Sequence, residues 1–116
     1  MGQTNYSIGH DAEKRAAIYL QESGYQIIDL NWKIPACEVD IVAKKHDIIS
    51  FVEVKFRKNS NQGTGLEYIT PKKLKQMSFA AELWVQQNGW KGAYNLAAIE
   101  LTGEDFQITH FVENIG

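Results

Sequence analysis

The chain has 116 residues, 44% of them hydrophobic and 22% charged, and a net charge of −2 at neutral pH. A chain this long buries roughly two-thirds of the surface its unfolded form exposes, so one domain is expected over residues 1–116, with no need of a disulfide or metal staple. The charge balance excludes a uniformly cationic coat for a phosphate backbone but leaves room for a local basic patch.

The first ten residues are polar and lack the apolar region of a signal peptide. Tyr6 stands where a myristoylation pattern wants Ser or Thr. No apolar run nears the ~20 residues of a membrane span. Cys37 is the lone cysteine, which excludes an internal disulfide or a Cys-rich zinc site and suits a reducing compartment. A cytoplasmic protein with no membrane partner is expected.

Residues 7–23 read as a helix, with Ile8, Ala12, Ala16, Tyr19 and Leu20 at helical spacing, Ser7 as its N-cap and Gly24 as its stop. Residues 25–33 alternate as a strand, broken by Ile34-Pro35-Ala36. Residues 38–43 and 48–57 are rich in Val, Ile and Phe and read as two strands joined by a four-residue loop at 44–47. Residues 58–65 hold Asn, Ser, Gln and two glycines and read as a mobile loop, either one that closes over a bound nucleic acid or a simple long exit from the hairpin. Thr70-Pro71 forms an N-cap and N1 pair that opens a helix running to about Asn88, with Leu74, Met77, Ala81, Trp84 and Val85 as its apolar stripe and Gly89 as its end. Residues 94–101 and 106–112 close the chain as two strands. The order is α-β-β-β-α-β-β, a mixed sheet in two or three layers with both helices packed on it.

The hairpin at 38–57 carries the chemistry. Pairing Ala43 with Ile48 puts Val39, Ile41, Ser50, Val52 and Val54 on one face, with Glu38, Asp40, Glu53, Lys55 and Arg57 on the other. In that register Glu38 lies across from Glu53, with Asp40 diagonal to it. Carboxylates so gathered repel one another unless a cation sits among them, and a hard divalent ion such as Mg²⁺ suits their oxygens. Lys55 points the same way as Glu53 and is placed to hold or activate a water. The plainer alternative is a solvated polar face with ordinary cross-strand ion pairs.

Four segments in order resemble the YraN-like family of uncharacterised bacterial proteins: Gly9-x-x-x-Glu13, Glu38-Val39-Asp40-Ile41-Val42-Ala43, Phe51-Val52-Glu53-Val54-Lys55-Phe56-Arg57 and Thr70-Pro71-x-Lys73. That family is similar to Holliday-junction resolvases of the archaeal type, within the PD-(D/E)xK, or restriction-endonuclease-like, nuclease superfamily. The resemblance implies an α/β fold with an αβββαββ core, a central mixed sheet flanked by two helices. It implies Asp40, Glu53 and Lys55 as the catalytic triad and Glu13 as the acidic residue that completes the metal site, with Glu38 in the family's Glu-x-Asp motif. The implied cofactor is Mg²⁺ or Mn²⁺, and the implied reaction is in-line hydrolysis of a phosphodiester. Cys37 departs from the family, which usually has Gly there.

Charge is uneven along the chain. Residues 44–75 hold eight basic side chains (Lys44, Lys45, Lys55, Arg57, Lys58, Lys72, Lys73, Lys75) against three acidic ones, and the remainder is acidic. Lys72, Lys73 and Lys75 crowd a helix N-terminus, where phosphate is attracted. A backbone-contact role in nucleic-acid binding is expected for these cations, against the alternative of a solvated basic surface. His10, His46 and His110 show no metal spacing, and Trp32 and Trp90 are minor stacking candidates. Gly63-Thr64-Gly65 lacks the Lys-Ser/Thr of a phosphate loop. The function expected is a metal-dependent endonuclease on branched DNA. The rivals are a catalytically silent nucleic-acid-binding or docking module on the same fold, or a structural domain. Cutting a junction symmetrically also implies a homodimer, for which the strand at 106–112 offers an edge.

Overall fold

A computed structural model describes residues 5–59 and 67–116, with side chains from residue 8 onward. Helix α1 (Asn5–Glu22) is followed by strands β1 (Gln26–Ile34), β2 (Cys37–Lys45) and β3 (Ile48–Arg57), helix α2 (Pro71–Asn88), and strands β4 (Ala93–Thr102) and β5 (Gln107–Glu113). The expected α/β order holds. The loop expected at 58–65 lies outside the described residues from 60 onward. Helix α1 starts at Asn5, so Ser7 falls inside its first turn rather than capping it.

Both helices stop as their glycines direct. At Gly24, φ is 96°. Tyr25 N–H donates back to Leu20 and Gly24 N–H to Gln21, a paired closure that needs a left-handed residue. Gly89 does the same for α2, with φ 64° and Trp90 N–H donating to Val85. At the other end of α2, Thr70 Oγ1 accepts from Lys73 N–H at 3.1 Å and Pro71 fills the first helical position.

The five strands form one sheet in the order β1-β2-β3-β4-β5. All neighbours are antiparallel except β3 and β4, which α2 joins as a parallel crossover. The helices lie on opposite faces. Ala12, Ala16 and Leu20 of α1 pack on Ile41, Val52, Ile99 and Leu101. Met77, Ala81 and Trp84 of α2 pack on Val42, Phe51 and Leu96. Strands β2 to β4 are thus covered on both sides, which accounts for their nearly continuous apolar runs. No helix among the described residues is long and apolar enough to cross a membrane.

The β2–β3 register corrects the expected one by two residues. Lys45 pairs with Ile48 and Ile41 with Val52. The connection is only His46-Asp47, with φ of 53° and 61°, left-handed at both central positions as a two-residue turn matched to strand twist requires. A shift of two keeps every side chain on its face. It brings Asp40, rather than Glu38, level with Glu53.

Candidate functional site

The antiparallel pairing of β2 with β3 ends at Ile41 and Val52. Beyond them Asp40 Oδ2 accepts a hydrogen bond from Val54 N–H at 2.8 Å, so a side chain takes the place of a ladder partner. Asp40 is also where the chain changes face. Ile41 belongs to the α1-side core, yet Val39, two residues earlier, belongs to the α2-side core. Strict alternation would have kept both on one side. On the neighbouring strand, register places Asn31 opposite Asp40, and Asn31 has φ 53°, a left-handed value that Asn tolerates better than most residues. The carboxylates therefore do not share one wet sheet face. They gather where β2 and β3 part, between the two helix layers.

The electrostatics follow from that enclosure. Burial pushes the Asp40 carboxyl up to about 8, with the negative charge of Glu53 next in effect and Glu13 adding to it, against the Val54 N–H, which lowers it. Glu13 reaches in from α1. Its Oε1 is buried and has no hydrogen-bond partner among the described residues, with His10 Nδ1 3.9 Å away. Asn31 Nδ2 lies 3.4 Å from the same His10 nitrogen. Glu53 Oε2 is held by Lys73 Nζ at 3.1 Å. Lys55 Nζ stands over the Tyr68 ring at 5.7 Å. The Tyr68 hydroxyl is buried with no hydrogen-bond partner among the described residues, and burial followed by the Glu53 charge raises its pKa.

These residues fit a hard divalent cation. An orphaned buried carboxylate oxygen on Glu13, beside a carboxyl whose ionisation its acidic neighbours oppose, is the donor chemistry that such an ion satisfies. No three acidic, imidazole or thiol groups among the described residues stand closely enough to form a finished ligand cage, and Glu53 is already engaged by Lys73.

Glu38 is exposed and lines two open clefts, one of which also takes in Asp40. One, of about 540 Å³, also takes in His10, Glu13, Asn31 and Lys33. The other, of about 250 Å³, takes in Glu53 and runs along α2. Glu38 is the residue common to both.

The cations expected to meet phosphate are divided by the fold. Lys72 and Lys75 are exposed on the first turns of α2, beside Lys73. Lys58 is exposed at the end of β3. Arg57 is instead buried and turned to Glu100, with Nε 2.5 Å from Oε2. Lys44 and Lys45 sit at the far end of β2, four and five residues from Asp40, or roughly 13–17 Å along the strand. Lys45 Nζ donates to Ser23 O at 2.7 Å, and Lys44 Nζ lies 5.5 Å from the centre of the Trp90 ring. Neither is brought to the carboxylates. Sequence reasoning passed over Asn31 and Tyr68 and found in His10 only a histidine without metal spacing. The readiness of Asn for left-handed backbone is a signal for the first; no pattern marks the other two, which the fold alone brings to the site.

The sequence model of Uncharacterised protein family UPF0102 matches residues 12–107, a span that includes Glu13, Glu38, Asp40, Glu53 and Lys55. Among similar proteins, a UPF0102 protein of Cytophaga hutchinsonii is 32% identical over 86% of this chain and 88% of its own length. One from Vibrio vulnificus is 34% identical over 85% of each chain. One from Chlorobium phaeobacteroides is 40% identical over 73% of this chain and 67% of its own.

Proposed function

The chain belongs to the uncharacterised protein family UPF0102, the YraN family, and from that premise we propose that it is a Mg²⁺- or Mn²⁺-dependent endonuclease of the PD-(D/E)xK type acting on branched or otherwise structured DNA. The observation that carries this reading is the meeting of Asp40, Glu53 and the orphaned Glu13 oxygen at the mouth of β2 and β3, with Lys55 two residues on from Glu53. A binding module has no use for a carboxylate cluster, since acidic groups oppose phosphate.

In this reading Asp40, Glu53 and Glu13 hold the cation, with Glu38 beside them at the open edge. When bound, the cation supplies Lewis acidity and offsets negative charge on the phosphodiester. Lys55 orients the attacking water and takes part in its deprotonation. Lys72 and Lys75, with the α2 N-terminus, contact the flanking phosphates. Two symmetric cuts in a four-way junction call for a two-fold dimer.

One observation favours the silent-module reading. Lys73 already neutralises Glu53, as a protein that had given up its metal would need. A cleavage screen separates the two. Single-stranded, duplex, flap and four-way-junction DNA are incubated with Mg²⁺ or Mn²⁺, and product that disappears on chelation is expected from at least one of them. No metal-dependent product from any would overturn catalysis and leave the module.

The same ion pair gives a second expected result. Lys73 competes with a cation for Glu53, so Lys73→Gln is expected to tighten Mg²⁺ binding about two- to fivefold, in proportion to a partly solvated ion pair. Calorimetry reads this, and weaker binding in the variant would show that Lys73 supports the site.

A further inference from the structure

Helix α2 carries more than the lysines of its first turns. Lys72, Lys75, Gln76 and Phe79 fall at successive positions of one helical stripe, and all four are exposed. Phe79 is 50% exposed, whereas Trp84 further along the same helix is buried at 4%. An aromatic ring left half in water gains from any flat apolar partner that covers it. Phe79 and Gln76 also wall the 250 Å³ cleft that leads to Glu53 and Lys73. The stripe therefore runs from two cations, past an amide, to an open ring, and its Gln76 and Phe79 wall a cleft that reaches Glu38 and Glu53.

We propose that this ridge is a stacking platform for an unpaired nucleotide next to the scissile phosphate, with Phe79 against the base, Gln76 at its polar edge and Lys72 and Lys75 on the neighbouring phosphates. The proposal rests on the nuclease reading for its orientation and deepens it by naming the substrate class, DNA with a single-stranded tail or flap. In a continuous duplex each base face is covered by its neighbours, so only an unpaired base offers a free face to Phe79. Aromatic platforms beside a cationic track are how proteins hold single strands without reading sequence. Lys75 one turn before the ring and Lys72 two turns before it, with exposed Glu82 one turn after it, disfavour an apolar protein patch as its occupant.

The test is equilibrium binding of the full chain, in Ca²⁺ to hold cleavage off, to a duplex with a single-stranded tail and to the same duplex with a blunt end. Wild type is expected to prefer the tailed DNA. Phe79→Ala is expected to weaken the tailed complex about tenfold and leave the blunt one unchanged, while Phe79→Trp retains the preference. A fluorescent base analogue in the tail should be quenched by wild type and not by Phe79→Ala. Phe79 is a surface residue, and matching melting temperatures establish that the variant folds. Equal affinity of wild type for both DNAs, or a tailed complex untouched by Phe79→Ala, overturns the proposal. So does a Phe79→Ala protein that loses self-association but keeps its DNA affinity, which would mark the ring as a contact with a second copy. Tail preference that depends on Phe79, with no cleavage of any substrate, would instead sink the nuclease reading and sustain this one. Cleavage that is indifferent to Phe79 would do the reverse.

Discussion

Replacing Asp40 by Asn is expected to remove measurable Mg²⁺ binding and, in the metal-free protein, to raise stability at pH 8 while leaving it little changed at pH 4. Asn has the shape of Asp and can still accept from Val54 N–H, so the hydrogen bond that fixes position 40 survives. What goes is the charge. In the folded wild type the Asp40 carboxyl is raised from 3.8 to about 8, chiefly by burial and then by Glu53. The folded state thus holds this proton more tightly than the unfolded chain does. Its contribution to stability is complete below about pH 4 and is lost as pH rises through about 8. Asn cannot titrate, so the variant lacks that decline. Melting curves with a chelator at the two pH values measure the difference, and a parallel decline in both proteins would sink the burial argument. Calorimetric Mg²⁺ binding that is equal in the two, or absent from both, would sink the metal assignment. Lys55→Ala completes the argument, because it is expected to lower metal-dependent cleavage at least about a hundredfold while Mg²⁺ still binds. Loss of both together would place Lys55 in the support of the site rather than in its chemistry.

The parts of this molecule that were legible in its sequence are those governed by local rules. Thr70-Pro71 and Gly89 bound α2 because capping and left-handed backbone are properties of a few adjacent residues. The hairpin faces were legible too where β2 and β3 pair, from Ile41 and Val52 to the turn, since alternation has period two. The same periodicity explains the register error, for a shift of two leaves the alternation unchanged, and only the two left-handed residues of the His46-Asp47 turn decide between the alternatives. The polar face was misjudged for a different reason. Glu53, Lys55 and Arg57 follow Phe51 on a face that α2 covers at one end only, so one side of one strand is core and then site. The reversal at Asp40 depends on β1, through Asn31, and on the end of pairing with β3. No window of residues around Asp40 contains that information. Arg57 follows the same logic. Its position beside Lys55 looks cationic and outward, and what turns it in is Glu100, 43 residues away on the parallel strand.

That inward turn makes Arg57 the cation whose removal is expected to cost most stability. Glu100 is 2% exposed. Arg57 Nε lies 2.5 Å from its Oε2, and Thr109 Oγ1 and His110 Nδ1 lie 2.9 Å and 2.8 Å from its Oε1. The irregularity between β4 and β5 at Glu100 and Leu101 lets two successive residues of β5 reach the one carboxylate. Burial alone would push this carboxyl up, but the hydrogen bonds from Arg57, His110 and Thr109 outweigh it and hold the carboxyl below its ordinary value. Arg57→Ala leaves Glu100 charged, buried and short of its main partner, so a loss of about 3–5 kcal/mol is expected. That corresponds to a fall of roughly 12–20 °C in melting temperature. The paired change Arg57→Met with Glu100→Leu removes charge from both sides and is expected to recover most of the loss, which distinguishes an abandoned charge from lost packing. A single variant within about 1 kcal/mol of wild type would show that Glu100 takes up a proton or reaches water instead. The same protein also tests the two roles open to Arg57. The guanidinium and the Lys55 ammonium both stand 5.7 Å from the centre of the Tyr68 ring, so loss of Arg57 should disturb the shelf under Lys55. The salt dependence of DNA binding should stay as steep as in wild type, because a side chain committed to Glu100 releases no counterion from phosphate. Lys72→Ala or Lys75→Ala should each lower that slope by about one contact.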